Sequence, residues 1–350
     1  MLVLGIETSC DETSAAVVED GCFVRSCIIA SSSKDFIGSG GVIPEQAARE
    51  QLKSIIPVID RALKAAGIIH EELDAIAVTS GPGLLGSLLI GTTTARALAL
   101  AWNKPLIPVH HTLGHLSSTW LIESDQRPAT SDQRPVFPIL SLSVSGGHSD
   151  LWLRQSHTNN TLLGSTIDDA AGEAFDKGAS LLGLPYPGGP ALAAIAENGD
   201  EKCYPFPKML AHDSSLNFSF SGLKTSLKYL LRDLAAAGTV IDDKARASIA
   251  ASYQLAICNH LIRRLESAIN QHPEIKEIHL VGGVSANLRL RSMAEAIGKD
   301  QGITVRWPST LRYCTDNGAM IAAAGTFLIR NFPEIIKKPF ITTASILLSK

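Results

Sequence analysis

Residues 2–21, LVLGIETSCDETSAAVVEDG, run from an apolar stretch through a turn of small and acidic residues into a second apolar stretch. Short apolar runs flanking a polar turn predict a β-hairpin. A second stretch, PVFPILSLSVSGGHSDLWLRQS at 135–156, has the same organisation, with SGGH as its turn. A chain of 350 residues exceeds one ordinary domain. Two such hairpins therefore predict two lobes, each opening on a hairpin whose turn faces a shared cleft.

Working outward, EQAAREQLKSIIPVIDRALKAAG at 45–67 has helical apolar spacing and ends on a glycine. Strand LDAIAVTS, a helix over 83–102 and strand PLIPV follow. In the second half, a long amphipathic helix over 242–270 precedes strand IHLVGGVS, a helix from Asn287, and CTDNGAMIAAAGTFLIRN at 314–331, a turn leading into a late helix. Strands alternating with helices predict α/β layers. By fold analogy, the repeated hairpin narrows this to the duplicated ribonuclease-H-like core of the actin, sugar-kinase and Hsp70 superfamily, two lobes with a cleft between them. The expected boundaries are an N-terminal lobe over 1–123, a linker over 124–135, a C-terminal lobe over 136–330, and a tail over 331–350 that packs back on the N-terminal lobe. The linker is polar and carries the pentapeptide SDQRP twice, at 124–128 and 131–135.

Composition limits the function classes. Net charge is −3, so no global field gathers polyanions, and a nucleic-acid partner must meet a local patch or a helper protein. Lys224 and Lys228, then Arg289 and Arg291, form small basic groups rather than a stripe, and 5% aromatic residues give few stacking platforms. The six cysteines include no CxxC pair, and Met1 leads straight into a strand without the features of a signal peptide, so reduced thiols and a cytoplasmic location are expected. The longest apolar run, at 83–102, contains three threonines and Arg96; it reads as a buried helix and not a membrane span.

Three histidines fall within six positions, His110, His111 and His115, in PVHHTLGH. If a helix starts after PLIPV, His111 and His115 lie one turn apart on one face, the spacing of a helical metal pair. HTLGH lacks the glutamate of HExxH, so a zinc peptidase would have no general base here. A third ligand must come from elsewhere. Asp316, before the late helix, is a candidate and could equally cap that helix. Glycine turns at 80–83, 145–148, 187–190 and 281–287 point to a nucleotide-binding cleft, because SGGH and VGGVSAN follow apolar strands. Glu7, Asp11 and Glu12 cluster in the first hairpin, and Asp168, Asp169, Glu173 and Asp176 in IDDAAGEAFDK. Such carboxylates orient hydroxyls, bind a cation or act as a base, or are solvated loop charge.

GIETSCDETS, GPGLLGSLLIG, HHTLGH, SVSGGHSDL, TIDDAAGEAFDKGASLLGLPYPGGP, NFSFSGLKTS, GGVSAN and CTDNGAMIAAAG occur in this order over most of the chain. Together they closely resemble the bacterial TsaD family of tRNA N6-adenosine threonylcarbamoyltransferases. The resemblance implies transfer of a threonylcarbamoyl group from threonylcarbamoyl-AMP to N6 of adenosine 37 in tRNAs reading ANN codons, giving t6A. It implies one Fe2+ or Zn2+ held by His111, His115 and Asp316, with His110 outside the ligand set. It implies binding of the adenylate by Ser143, Val144, Ser145, Gly146 and Gly147, with Asp176, Gly189 and Asn287. The implied partners are tRNA, TsaB-type and TsaE-type accessory proteins, and a TsaC/Sua-type synthase supplying the donor, with no membrane. Asp11 and Glu12, in the first-hairpin motif, are the candidates for the base that takes the N6 proton. One departure is Gln51, where family members commonly carry histidine; another is the SDQRP duplication. Two other readings are a small-molecule kinase of the same superfamily, to which a His, His, Asp transition-metal site is of no use, and a scaffold without catalysis.

Overall fold

The computed structural model describes residues 1–31, 42–123, 134–346 and 348. Most of the expected linker, 124–133, lies outside the described residues.

The chain forms two compact units, each around one sheet. In the first, β1 (Leu2–Glu7), β2 (Glu12–Glu19) and β3 (Phe23–Ser31) form the antiparallel ribbon predicted by the opening hairpin. Helix α1 (Pro44–Ala66), β4 (Ala75–Gly81), α2 (Leu85–Ala101), β5 (Leu106–His110), α3 (His111–Ser117) and the short β6 (Ile122–Glu123) follow. The sheet order is β5-β4-β1-β2-β3-β6, with β4 parallel to β1 and β5 parallel to β4.

The second unit repeats this plan. It holds β7 (Ile139–Val144), β8 (Ser149–Arg154), β9 (Asn160–Ser165), α4 (Ala171–Leu181), α5 (Gly188–Ala196), α6 (Ser221–Ala236), α7 (Asp243–Gln271), β10 (Glu277–Val281), α8 (Leu288–Gln301) and β11 (Thr304–Arg306). Its order is β11-β10-β7-β8-β9, again with a parallel pair of strands added beside the opening strand. The fold is thus the duplicated α/β core that the two hairpins predicted.

Helix α9 (Gly318–Asn331) departs from the sequence boundaries. Residues Trp307–Lys350 group with the first unit, as does the stretch Arg154–Asn160, so the expected lobe over 136–330 is corrected at both places. The reason lies in how β1 is buried. Successive side chains of a strand face opposite sides. Leu4 and Ile6 enter a core with Ala15, Val17, Ile76 and Val78 of the neighbouring strands and Ile55, Val58, Ile59 and Ala62 of α1. The opposite face needs a second cover, and α9 supplies it with Ala319, Met320, Ala322 and Ala323, all fully buried. Gly5 on β1 and Gly318 on α9 let the two backbones touch: a Cβ on Gly5 would lie 2.0 Å from the Gly318 carbonyl oxygen.

The chain after α9 also lies on the first unit. Arg96 sits over the Phe340 ring at 4.5 Å, and the Thr343 N–H donates to the Ser80 carbonyl at 3.0 Å. No described helix is long and apolar enough to cross a membrane; the run at 83–102 supplies α2, whose Ser87, Leu88, Gly91, Thr92 and Ala95 are buried.

Candidate functional site

Strand β5 ends at His110 and α3 begins at His111, so the conditional helix of the sequence reading is present. His110 serves this junction. Its Nδ1 accepts from the Thr112 N–H at 3.2 Å, capping α3, and its Nε2 lies 3.1 Å from the Ile346 carbonyl. Burial pushes its pKa down to about 4. His111 and His115 then stand one turn apart, both buried, with ring centroids 4.7 Å apart. At the other end of α3, the fully buried Arg154 donates to the Leu116 carbonyl and from Nε to Asn160 Oδ1 at 2.9 Å. A cation at a helix C-terminus is favourable, and it anchors the helix that carries both imidazoles.

The third member comes from the turn before α9. Asn317, not Asp316, caps that helix, accepting from the Met320 N–H at 2.9 Å. Asp316 instead turns to the histidines, its Oδ1 3.1 Å from His115 Nε2 and 3.5 Å from His111 Nε2. One ligand atom from each of the three lies within 4.8 Å of the others. Metal bonds of about 2.0–2.1 Å at tetrahedral angles set ligand atoms roughly 3.3 Å apart, which the two spacings from Asp316 to the histidines match. Neither ring nitrogen of buried His115 makes a hydrogen bond of good geometry among the described residues. Two imidazoles and a carboxylate suit Fe2+ or Zn2+. All three groups belong to the first unit. The sequence boundaries had drawn Asp316 from the other lobe; the packing of α9 on β1 and β2 is what brings it here.

Around the trio lies the turn between β1 and β2. Glu7, at the end of β1, is fully buried, and its Oε2 is 3.2 Å from His111 Nδ1. Burial opposes charge on His111, but the Asp316 and Glu7 carboxylates outweigh it and hold the imidazole at about 9. Asp11 is buried, and Glu12 starts β2. Burial, then Asp316 and Asp11, push the Glu12 carboxyl well above the usual carboxylate range, and burial with Asp11 and Asp316 pushes the Cys10 thiol up as well. A cation in this acidic cluster would offset that repulsion. Gln51, the departure noted in the sequence, holds the turn from behind: its Nε2 lies 3.4, 3.0 and 2.9 Å from the carbonyls of Thr8, Cys10 and Glu12. The glycine turn at 80–83 packs against it too, the Leu84 N–H donating to the Ser9 carbonyl at 2.7 Å.

The second unit gathers the other named residues around the end of β7. The Ser145 N–H donates to the His148 carbonyl at 2.8 Å, closing the SGGH turn, and a Cβ at Gly146 or Gly147 would meet nothing within 4 Å. Gly282, at φ +85°, lies against the Val144 carbonyl, where a Cβ would come within 2.4 Å. Gly172 of α4 packs as closely on the Ser145 carbonyl, and one turn later Asp176 Oδ1 accepts the N–H groups of Gly188 and Gly189 at 2.8 and 3.1 Å. Asn287 caps α8 through Oδ1 and donates from Nδ2 to Gln254 at 2.7 Å. Ser143 Oγ and Ser285 Oγ are buried without a hydrogen-bond partner among the described residues.

Several other candidates have structural partners. Asp168 accepts from Ser219, Phe220 and Ser221 at the start of α6, while Asp169 pairs with Lys177 and Lys224, and Glu173 with Lys177. Arg289 pairs with Glu201, and Arg291 donates to the Ser285 carbonyl. The small basic groups are therefore tied largely to their own unit. The sequence reading gave Glu7 no separate role and did not single out Ser9 or Thr79, which both bond it. A charged residue ending an otherwise apolar strand was the available signal.

Comparison with known proteins bears on the whole chain. A family model described as TsaD, tRNA N6-adenosine threonylcarbamoyltransferase, matches residues 24–323. A protein of that name from Anaeromyxobacter sp. (strain Fw109-5) is 47% identical over 327 residues, 93% of this chain and 94% of that protein. One from Bacillus subtilis (strain 168) is 44% identical over 327 residues, 93% and 90% of the two chains. Among solved structures, T. kodakarensis HypF superposes with a TM-score of 0.58 at 15% identity, covering 96% of this chain and 49% of that one. Component A of the Acidaminococcus fermentans (R)-2-hydroxyglutaryl-CoA dehydratase gives 0.52 at 14% identity over 95% and 98%. These two likenesses concern the fold.

Proposed function

The chain belongs to the tRNA N6-adenosine threonylcarbamoyltransferase family, and from that premise we propose that it moves the threonylcarbamoyl group of threonylcarbamoyl-AMP to N6 of adenosine 37 in tRNAs reading ANN codons. The observation that carries this reading is the convergence of His111, His115 and Asp316, a ligand set for which a small-molecule kinase or a scaffold has no use. These residues would hold one Fe2+ or Zn2+, which when bound supplies positive charge to an oxygen of the donor.

The protein's own groups do the rest. The donor is a mixed anhydride with an activated carbonyl; the adenine N6 amine is a weak nucleophile because its lone pair is delocalised into the ring. Catalysis therefore rests on positioning and on charge stabilisation. The SGGH turn offers backbone N–H groups with no side chain at Gly146 or Gly147, and Ser143, Val144, Ser145, Asp176, Gly189 and Asn287 complete the adenylate subsite. Asp11 or Glu12 takes the N6 proton as N6 bonds to the carbonyl carbon and the anhydride bond to phosphate breaks, releasing AMP. A base works best when its pKa lies near the working pH, and burial, the largest influence on Glu12, pushes its carboxyl upward in that direction. Adenosine 37 lies in a single-stranded loop, so presenting it costs little unstacking. A chain in which Lys224, Arg289 and Arg291 are each tied to a group of their own unit takes its tRNA with TsaB-type and TsaE-type proteins, and a TsaC/Sua-type synthase supplies the donor. Six free cysteines suit a reducing cytoplasm.

The test is incubation of unmodified tRNA with threonine, bicarbonate, ATP, the synthase and the accessory proteins, with nucleoside mass analysis. N6-threonylcarbamoyladenosine that depends on this chain is the expected product. Its absence, with phosphate transfer from ATP to a small hydroxyl or carboxyl acceptor, would establish the kinase reading instead.

A further inference from the structure

Building on the metal-centre reading above, we propose that Glu7 is a positioning residue for it, accepting the Nδ1 proton of His111 and so presenting the Nε2 lone pair beside His115 and Asp316. Glu7 is fully buried, and burying a carboxylate is costly unless its oxygens are engaged. Both are engaged. Oε1 accepts from the Ser9 N–H at 2.5 Å, and Oε2 accepts from Thr79 Oγ1 at 2.5 Å. Oε2 is also the oxygen 3.2 Å from His111 Nδ1. Its position is therefore set by two bonds from β4 and the β1–β2 turn before the imidazole is considered.

Both Glu7 oxygens already accept, from the Ser9 N–H and the Thr79 hydroxyl, so Oε2 meets the ring as an acceptor and the Nδ1 facing it donates. With Nδ1 donating to Glu7, Nε2 is the nitrogen left for an ion to take in place of a proton, and it is the one that faces Asp316. Ser9 Oγ, 3.1 Å from the same Nδ1, adds a second contact that holds the ring plane. Were Glu7 only a clip for the turn, its bonds to Ser9 and Thr79 would complete it, and nothing would require Oε2 to meet the ring. Outer carboxylates of this kind fix the tautomer of a ligating histidine, and their loss weakens metal affinity by about 10- to 100-fold.

The experiment is a Zn2+ titration of the purified full chain in competition with a chromogenic chelator, beside a long-range 1H–15N spectrum of the zinc-loaded histidines. Wild type is expected to take up one equivalent and His115→Ala to lose it, which checks the reading the inference rests on. Glu7→Gln keeps the shape but sets an NH2 group against either the Ser9 N–H or the ring, so affinity should fall about 10- to 100-fold, with the Nδ1-protonated tautomer of His111 no longer uniform. Thr79→Val removes one orienting bond without touching a histidine; it should weaken binding by a smaller factor, and it decides the matter if Glu7→Gln fails to fold. A wild-type chain that binds no ion removes the metal reading and this inference with it. Tight binding and an unchanged tautomer in the folded variants overturn the role of Glu7 alone.

Discussion

Gly318→Ala tests how the first unit is closed. A Cβ at this position would lie 2.6 Å from the Gly5 carbonyl oxygen, 2.8 Å from the Ala16 nitrogen and 2.9 Å from the Ala15 Cα. All three are backbone atoms of central strands, so no side chain can swing aside. Reaching ordinary contact at about 3.4 Å requires α9 to lift from the sheet by about 0.8 Å. The helix preference of alanine over glycine returns up to about 1 kcal/mol. Overpacking against a rigid wall costs roughly 1–3 kcal/mol and occasionally more, and three close backbone contacts place this case at the upper end, so steric cost wins. A net loss of about 2 kcal/mol lowers Tm by roughly 4–8 °C for a unit of this size. Asp316 precedes Gly318 by two residues, so Zn2+ affinity should fall too. Gly5→Ala meets the same contact from the strand side, and the double variant should lose less than the sum of the singles because both break one interface. Thermal melts with zinc titration read all of this. A Gly318→Ala protein with wild-type Tm and zinc affinity would refute a tight seat for α9.

Asp11→Asn and Glu12→Gln should separate the candidate bases: whichever serves as base should lose about 10²- to 10⁴-fold in transfer rate while keeping one equivalent of metal, and full activity in both would leave neither as the base. His260 is buried, its Nε2 accepting the Ser219 N–H at 3.1 Å, and burial, then Arg263 and Arg264, push its pKa down to about 4. Because the unfolded chain takes up a proton near 6.5 and the folded one does not, stability falls as pH drops from about 6.5 to about 4 and levels off below, by about 3 kcal/mol for this group. His260→Gln should flatten that slope in urea melts, and equal slopes would count against it. Gln51→Leu strips the donor from three carbonyls of the first turn and should cost about 1–3 kcal/mol, with Gln51→His recovering part of it; an unaltered melting curve would show that the turn holds itself.

What could be read in the amino acids was what is local. Both hairpins, the start of α3 and the pairing of His111 with His115 follow from period-two and i,i+4 patterns. The placement of α9 does not, because an alanine-rich apolar helix carries no label for the sheet it covers; the Gly5–Gly318 contact that decides it joins opposite ends of the chain. Glu7 was hidden for the same reason, its partners lying 72 and 104 residues away. The residues alone left Asp316 open between metal ligand and helix cap, and it is Asn317 that caps α9; Asp168, open between functional acid and loop charge, clamps the start of α6.

The segmental order of the first unit has a bearing on biosynthesis. Its sheet is complete once residue 123 has been made, yet one face of β1 and β2 has no cover until α9 emerges after the whole second unit. A nascent chain therefore carries a bare apolar sheet face through most of translation, a surface for which chaperones compete. Because Asp316 arrives together with that cover, a polypeptide terminated before it cannot bring all three groups together, and on the proposed metal reading its ion content would record whether synthesis ran past that point.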